Sequence, residues 1–517
     1  MSTRLANSGR LIDRTQALEF TFNGKRMQGF KGDTLASALL ANGQTLVGRS
    51  FKFHRPRGVV AAGPEEPNAL VHLGKDGKFE PNQRATTTEL FTGLTATSQN
   101  HWPSLEFDIG AANKLMSRFF PAGFYYKTFM FPRFAWKHLF EPVIRQAAGL
   151  GKAPTHRDAD TYEYFYAHVD VMIIGGGIAG LQAAMSAGQS GARVLLIEQT
   201  ADWGGRAAVD RVTIDGKSAA DWVIKTVQDL EKMENVTLRP RMMGAGVYDH
   251  GYALGYERLT DHAPEIKGPR HRLWRIRARR IITATGAIER PLSFAGNDIP
   301  GVMLAGAVRD YASNFGVSVG DRTVVVTNND DAYRTAIALV EAGLTVPAII
   351  DARSEASGAL PNLARAKGIR VETGKAIGRV KGGKKVEAVT LCMQAGEGTS
   401  LEEIPCDAVA MSGGWSPVVH LWSHCGGKLN WDNDLAMFRP DPNRPPTGAD
   451  GAGFVIPAGT ANGYLDAASV IADAHAAGLR AAKEAGHRPV DAAAPSAFSE
   501  AEAALVPVWS MPQGASA

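Results

Sequence analysis

The stretch from Val169 to Gln199, VDVMIIGGGIAGLQAAMSAGQSGARVLLIEQ, constrains this chain more than any other. The apolar run VMII reads as a strand buried on both faces, the kind found inside parallel sheets. Three glycines follow, Gly175, Gly177 and Gly180, and open a helix of small and apolar residues. Gly175 permits the tight turn, Gly177 lets backbone amides approach a pyrophosphate, and Gly180 lets helix and strand pack closely. Ile178 and Ala179 supply the first helical N–H groups, where the helix dipole favours an anion. A second apolar strand ends at Glu198, followed by Gln199, about twenty residues on, where an acid pairs with the ribose hydroxyls of an adenosine. A carboxylate there disfavours a 2′-phosphate, so NAD or FAD is preferred to NADP. A glycine triplet alone is a weak signal; strand, helix and acid in register point to a dinucleotide site.

Two later stretches resemble the two-dinucleotide flavoprotein reductases. Gly204, Gly205 and Arg206 follow Glu198 where those proteins carry a Gly-Gly loop over the cofactor. An apolar strand after Arg279-Arg280 ends in Ala-Thr285-Gly286, their second contact strand. The expected fold class is therefore α/β: two Rossmann domains of the glutathione-reductase-like type, at 166–295 with 411–475 and, inserted between them, 296–410. The inserted half is altered. Its strand, Asp321 to Thr327, runs into Asn328-Asn329-Asp330-Asp331, a turn without glycine whose paired carboxylates would repel a pyrophosphate. This half is expected to bind no dinucleotide, or to bind it differently. No cysteine pair follows Gly204-Gly205, which excludes disulfide reductase chemistry. The late stretch Phe454 to Gly463, with Gly459 at its turn, lacks the Gly-Asp pair those reductases use, leaving NAD and FAD open for the first site.

Residues 1–100 read as a small β-rich module. LEFTF alternates, Asn23-Gly24 is a hairpin turn, and Asp33 caps the helix TLASALLA, which Asn42-Gly43 ends. A hairpin followed by a helix begins a β-grasp, ferredoxin-like domain. The three cysteines, Cys392, Cys406 and Cys425, all lie elsewhere, so this domain has no ligands for an iron–sulfur cluster. Residues 101–165 form an aromatic-rich connector expected to pack on neighbouring domains or a partner chain. The tail, 476–517, reads as an extension that is a linker or a frayed end.

Composition narrows the partners. A formal net charge of +4 over 517 residues implies neither a nucleic-acid binder nor a polybasic membrane clamp. The aromatic run Phe119 to Trp136 is broken by prolines and cations, which argues against a spanning helix. Few cysteines and no signal-peptide core point to the cytoplasm. His420 and His424 stand i, i+4 beside Cys425, but no fourth ligand is evident, so no metal is expected.

Taken together, RSFKFHRPRG (Arg49–Gly58), EEPNAL (Glu65–Leu70), FPAGFYYKTFMFP (Phe120–Pro132), Gly175–Gly180 and TGAIERP (Thr285–Pro291) resemble the α subunit of heterotetrameric sarcosine oxidases. The resemblance runs over nearly the whole chain. It implies NAD in the first Rossmann domain, a β subunit bearing FAD, small accessory subunits, and an FMN at the α–β interface. The implied reaction is oxidative demethylation of sarcosine to glycine with release of hydrogen peroxide. The basic residues Arg49, Lys52 and Arg55 are the candidates for the FMN phosphate, against the plainer reading of a solvated basic loop. An aminomethyltransferase-like domain that continues the family's α subunit is expected to be absent. Two other roles fit the same residues: the dinucleotide-binding subunit of an opine or amine dehydrogenase, or a scaffold with structural NAD. No catalytic residue of this chain is singled out.

Overall fold

A computed structural model describes residues 3–115, 123, 131–147, 151–448 and 451–512. Most of the Phe120–Pro132 stretch lies outside the described residues, as does much of the Phe119–Trp136 run. Among the described residues no helix is long and apolar enough to cross a membrane.

The N-terminal module is a five-stranded sheet in the order Lys25–Lys31, Asp13–Phe22, Thr95–Thr97, Leu70–Leu73, Glu80–Arg84. The Asn23-Gly24 turn sets the antiparallel register of its first hairpin, with Phe22 opposite Lys25. The helix Leu35–Ala41 is capped one residue later than its sequence predicts. Thr34 Oγ1 accepts from Ser37 N–H, while Asp33, buried, accepts from Ser37 Oγ at 2.6 Å and Phe30 N–H at 2.8 Å and pairs with Arg4. Asp33 is spent on tying the hairpin to the helix, which leaves the cap to the next hydroxyl.

The first nucleotide-binding sheet has seven strands. Tyr162–Ile174 lies between Val194–Ile197 and His271–Thr283, both parallel to it, and Val455–Pro457 returns beside the end of His271–Thr283. The helices Ile178–Gln189 and Ala467–Glu484 pack together on one face, where Leu181, Ala183, Ile471 and Ala474 are fully buried. The opposite face is covered by a separate apolar cluster around Met172, Ile276 and Trp422. The second sheet, all parallel, runs Val302–Leu304, Ala408–Ser412, Thr323–Thr327, Ile349–Asp351, Val371–Thr373. A short antiparallel ribbon, Ala287–Glu289 against Trp415–Pro417, carries both crossings between the two sheets.

The N-terminal module shares its core with the second sheet. Phe20, Leu39 and Val47 belong to one continuous cluster with Val308, Tyr311 and Val325. Hydrogen bonds cross this seam: Leu304 N–H donates to the Val60 carbonyl at 2.9 Å, and the Tyr311 side-chain Oη to that of Ala61 at 3.1 Å. Among its described residues the C-terminal extension is tied to the body of the protein. Ala497–Phe498 forms a third strand on the Thr213–Ile214 ribbon, and Met511 is buried.

Candidate functional site

At the carboxyl edge of the first sheet the three glycines have separable duties. A Cβ on Gly175, at φ +111°, would lie 2.2 Å from the Ala284 carbonyl oxygen. One on Gly180 would lie 1.8 Å from the Gly175 oxygen, so helix and turn touch backbone to backbone. A Cβ on Gly177 would meet nothing within 4 Å. Two glycines therefore serve packing, and the third faces open space. Gly177 is also the N-cap of Ile178–Gln189, and no side chain caps that helix. The amides of its first turn are left to whatever enters the cradle.

Glu198 stands beside this turn. Its carboxylate accepts from Gly176 N–H at 2.7 Å, Thr200 N–H at 2.8 Å and Thr200 Oγ1 at 2.9 Å. Burial pushes its carboxyl up, while those donors favour the anion. The Gly204-Gly205 loop folds onto the turn through Gly204 N–H to the Gly176 carbonyl at 2.8 Å, with both glycines at positive φ. Thr285 Oγ1 donates to the Val418 carbonyl at 2.7 Å, and Gly286 turns at φ +77° beside Thr460. Gly459, at φ +63°, packs against Ala179, where a Cβ would come within 2.6 Å of the alanine methyl. The acid missing from the Gly-Asp position arrives from elsewhere: Asp473, on the Ala467–Glu484 helix, accepts from Gly459 N–H at 2.8 Å. The fold thus gathers Gly175–Gly180, Glu198, Gly204, Gly205, Thr285, Gly286 and Gly459 around one turn.

Gln199 is exposed on the loop after Glu198, and a cleft of about 1310 Å³ opens beside it, between the N-terminal module and the first nucleotide-binding domain. Its walls include Arg10, Glu89, Trp203 and Arg241. Glu89, from the N-terminal module, takes both Nε and Nη2 of Arg241 at 2.8 Å and lies 3.8 Å from Arg258. Arg258 itself donates to the Gln199 carbonyl at 3.0 Å. These three residues carry no local sequence signal, because 152 residues separate Glu89 from Arg241.

The Arg206 guanidinium is engaged by carboxylates. It donates to Asp310 at 2.5 Å and Asp210 at 3.3 Å and stacks over Trp415 at 5.0 Å. Arg309 reciprocates, binding Asp210 at 2.8 Å and Asp331 at 2.9 Å, so crossed ion pairs join the domain of the first sheet to that of the second. Glu289 lies in the same buried region and accepts from Gly306 N–H at 2.7 Å. Burial and the nearby Asp331 push its carboxyl up to about 8.

The basic segment of the N-terminal module is distant from the glycine turn and docks on the second half. Arg49 is buried and donates to the carbonyls of Leu105, at 2.8 and 3.0 Å, and of His54, at 3.1 Å. Its guanidinium is a loop-closing group, not an open phosphate ligand. Arg55 reaches Asp298 at 3.4 Å, and Lys52 sits 4.8 Å over the Phe53 ring. Phe51 at the apex is 56% exposed. His424 packs edge-on against Tyr248, and Cys425 Sγ donates to the Leu421 carbonyl at 3.0 Å. Among the described residues no cluster of His, Cys, Asp or Glu could hold a metal ion.

Residues 169–437 match the family model described as pyridine nucleotide-disulphide oxidoreductase, and the chain belongs to that family. Residues 15–101 match the model described as a 2Fe-2S iron-sulfur cluster binding domain, although no cysteine lies among them. Among individual proteins, the chain is similar to the sarcosine oxidase α subunit of Rhizobium meliloti (strain 1021). The two are 50% identical over 84% of this chain and 44% of the relative. The sarcosine oxidase α subunit of Corynebacterium sp. (strain P-1) is 36% identical over 97% of this chain and 47% of its own length. The chain thus spans about half the length of the curated relatives it matches. Among solved structures, L-proline dehydrogenase from P. horikoshii superposes with a TM-score of 0.60 at 20% identity, covering 94% of this chain and 76% of that one. That likeness is one of fold.

Proposed function

We propose that this chain is the dinucleotide-holding portion of a sarcosine oxidase-type α subunit, with NAD in the Gly175–Gly180 cradle. The observation that carries the reading is the open space at Gly177 beside an uncapped helix start, with the Glu198 carboxylate next to it. In this reading the amides of Ile178 and Ala179 hold the pyrophosphate and Glu198 takes the ribose hydroxyls. Gly204, Gly205, Thr285, Gly286 and Gly459 shape the walls. Bound NAD supplies a nicotinamide able to accept or give a hydride. Glu289 and the crossed Arg206–Asp310 and Arg309–Asp210 pairs hold the two halves in one relation behind the cradle.

At the level of the assembly we assign the oxidative demethylation of sarcosine to glycine, with hydrogen peroxide as co-product, to a site shared with an FAD-bearing β subunit. An interfacial FMN would meet this chain at the exposed apex around Phe51, with Lys52 and Arg55 as its cations. Arg49 is withdrawn from that role because its donors already serve carbonyls. No catalytic base for the amine is assigned to this chain.

The experiment is extraction of cofactors from the purified chain, alone and with its partner subunits, and their identification by mass. NAD from the chain alone, and flavin bleaching by sarcosine with peroxide release from the assembly, are the expected results. FAD in the chain alone overturns the cofactor assignment; an assembly that sarcosine leaves unbleached overturns the substrate.

A further inference from the structure

In an open parallel sheet, ligands bind outside the carboxyl ends of the strands, at the crevice where the chain leaves in different directions. In the second sheet that place is where Thr327 and Ser412 end side by side, at the Asn328–Asp331 turn. It is filled. The segment from Ser496 to Met511 runs across both strand ends and is hydrogen-bonded along its length. Asn328 Nδ2 donates to the carbonyls of Val506 at 2.9 Å and Val508 at 3.1 Å, and its own carbonyl accepts from Val506 N–H at 3.2 Å. Asp330, fully buried, accepts from Ala503 N–H at 2.8 Å. Trp509 Nε1 donates to the Gly413 carbonyl at 2.8 Å, and its ring lies 4.9 Å under Arg290.

The residues that make this turn hostile to a pyrophosphate are the ones that receive the segment. A carboxylate repels phosphate but accepts a peptide N–H, and an asparagine side chain reads peptide carbonyls. The glycines have moved as well. A Cβ on Gly413 would lie 2.9 Å from the Trp509 ring, and one on Gly414 2.8 Å from Leu505 Cδ2. The space that a missing Cβ leaves, open at Gly177 in the first half, is here taken by side chains of the chain's own segment.

We propose that the Ser496–Met511 segment occupies the second nucleotide crevice as a built-in peptide ligand, so that this half recognises extended polypeptide in place of a dinucleotide. The same segment pairs Phe498 with Thr213 and Met511 N–H with the Ser293 carbonyl at 2.8 Å, so it also laces the first half to the second. The inference stands on these contacts and does not depend on which dinucleotide fills the first cradle.

The test uses the full chain with a specific protease site inserted at the exposed Asp491–Ala493 stretch. After cleavage the released segment is expected to co-elute with the body of the protein in gel filtration. Asn328→Ala, in the crevice, and Trp509→Ala, in the segment, should each speed its dissociation at least tenfold. Hydrogen exchange at Asn328–Asp331 should rise as the segment leaves, and a synthetic Ser496–Met511 peptide should restore protection. Dissociation that is equally fast with and without the substitutions overturns the proposal. So does exchange at Asn328–Asp331 that is indifferent to the segment. Should Asn328→Ala fail to fold, Trp509→Ala leaves the crevice residues unchanged and decides the matter.

Discussion

The chain carries two strand–turn–helix units of the same plan, and they end in opposite chemistry. After Ile174 the turn is glycine, its helix begins without a capping side chain, and the space before it is open. After Thr327 the turn is asparagine and aspartate, and a peptide segment is hydrogen-bonded into it. Both lie at the carboxyl ends of parallel strands, so topology alone does not separate them. Neither helix start is capped by a side chain, so the difference lies in which groups line the turn in front of it. Free amides with no Cβ nearby attract an anion; a carboxylate and a carboxamide attract peptide N–H and C=O groups.

The largest expected effect comes from Gly180→Val, because its Cβ would fall 1.8 Å from the Gly175 oxygen. Neither backbone can withdraw without separating helix from strand. A loss above about 4 kcal/mol, read as insoluble protein or a collapsed denaturant midpoint, is expected. A stable Gly180→Val variant would show that the helix start is not held by this contact. Gly177→Val is the counterpart. Gly177 has φ −67° and open space around its Cβ position, so the fold should keep its melting temperature to within a few degrees, by roughly the surface-substitution standard. Co-purifying dinucleotide should nevertheless fall at least about a hundredfold, a change of about 2.7 kcal/mol. Full retention of the dinucleotide would remove Gly177 from the cradle.

The third effect concerns the acid that the altered turn imposes on the interface. Glu289 is raised from 4.5 to about 8 by burial and by Asp331. In that window the folded state holds a proton that the unfolded state has released. Stability therefore falls as pH rises from 4.5 to about 8, by on the order of a few kcal/mol, and levels off above it. Glu289→Gln should flatten this part of a melting-temperature profile. An unchanged slope would mean that Glu289 is ionised in the folded protein. Last and smallest, Glu89→Gln should loosen Arg241 and Arg258 beside Gln199 and raise affinity for NADP relative to NAD by a few-fold, about 1 kcal/mol. Isothermal titration with both nucleotides reads it, and an unaltered ratio would detach Glu89 from the adenosine end.

How much of this was legible follows from where each signal sits in the chain. The first turn was readable because its residues act through backbone geometry within thirty positions, and Gly175, Gly177, Gly180 and Glu198 lie in that single stretch. The loss of glycines at Asn328–Asp331 was readable for the same reason, as was the absence of cysteines from the N-terminal module. Arg49 and Arg206 misled because an arginine's charge is visible in sequence and its partner is not. One closes a loop on Leu105, and the other bridges to Asp310. Asp33 misled more mildly, since two adjacent residues can each cap a helix and the hairpin claimed the first.

By itself, then, the sequence determined that one half of this protein carries the glycine turn of a dinucleotide-binding fold and that the other half has no glycine at the matching turn, since both are local properties of the backbone. Only the tertiary structure decided what fills the second crevice, and that Glu89 from the N-terminal module closes against Arg241. Those contacts join residues some 150 to 180 positions apart, and no local periodicity encodes a pairing of that kind. The tail, rich in Ala, Pro and Ser, looks like a linker in one dimension, because its described residues find hydrogen-bond partners in the carboxylate and carboxamide groups of a distant turn.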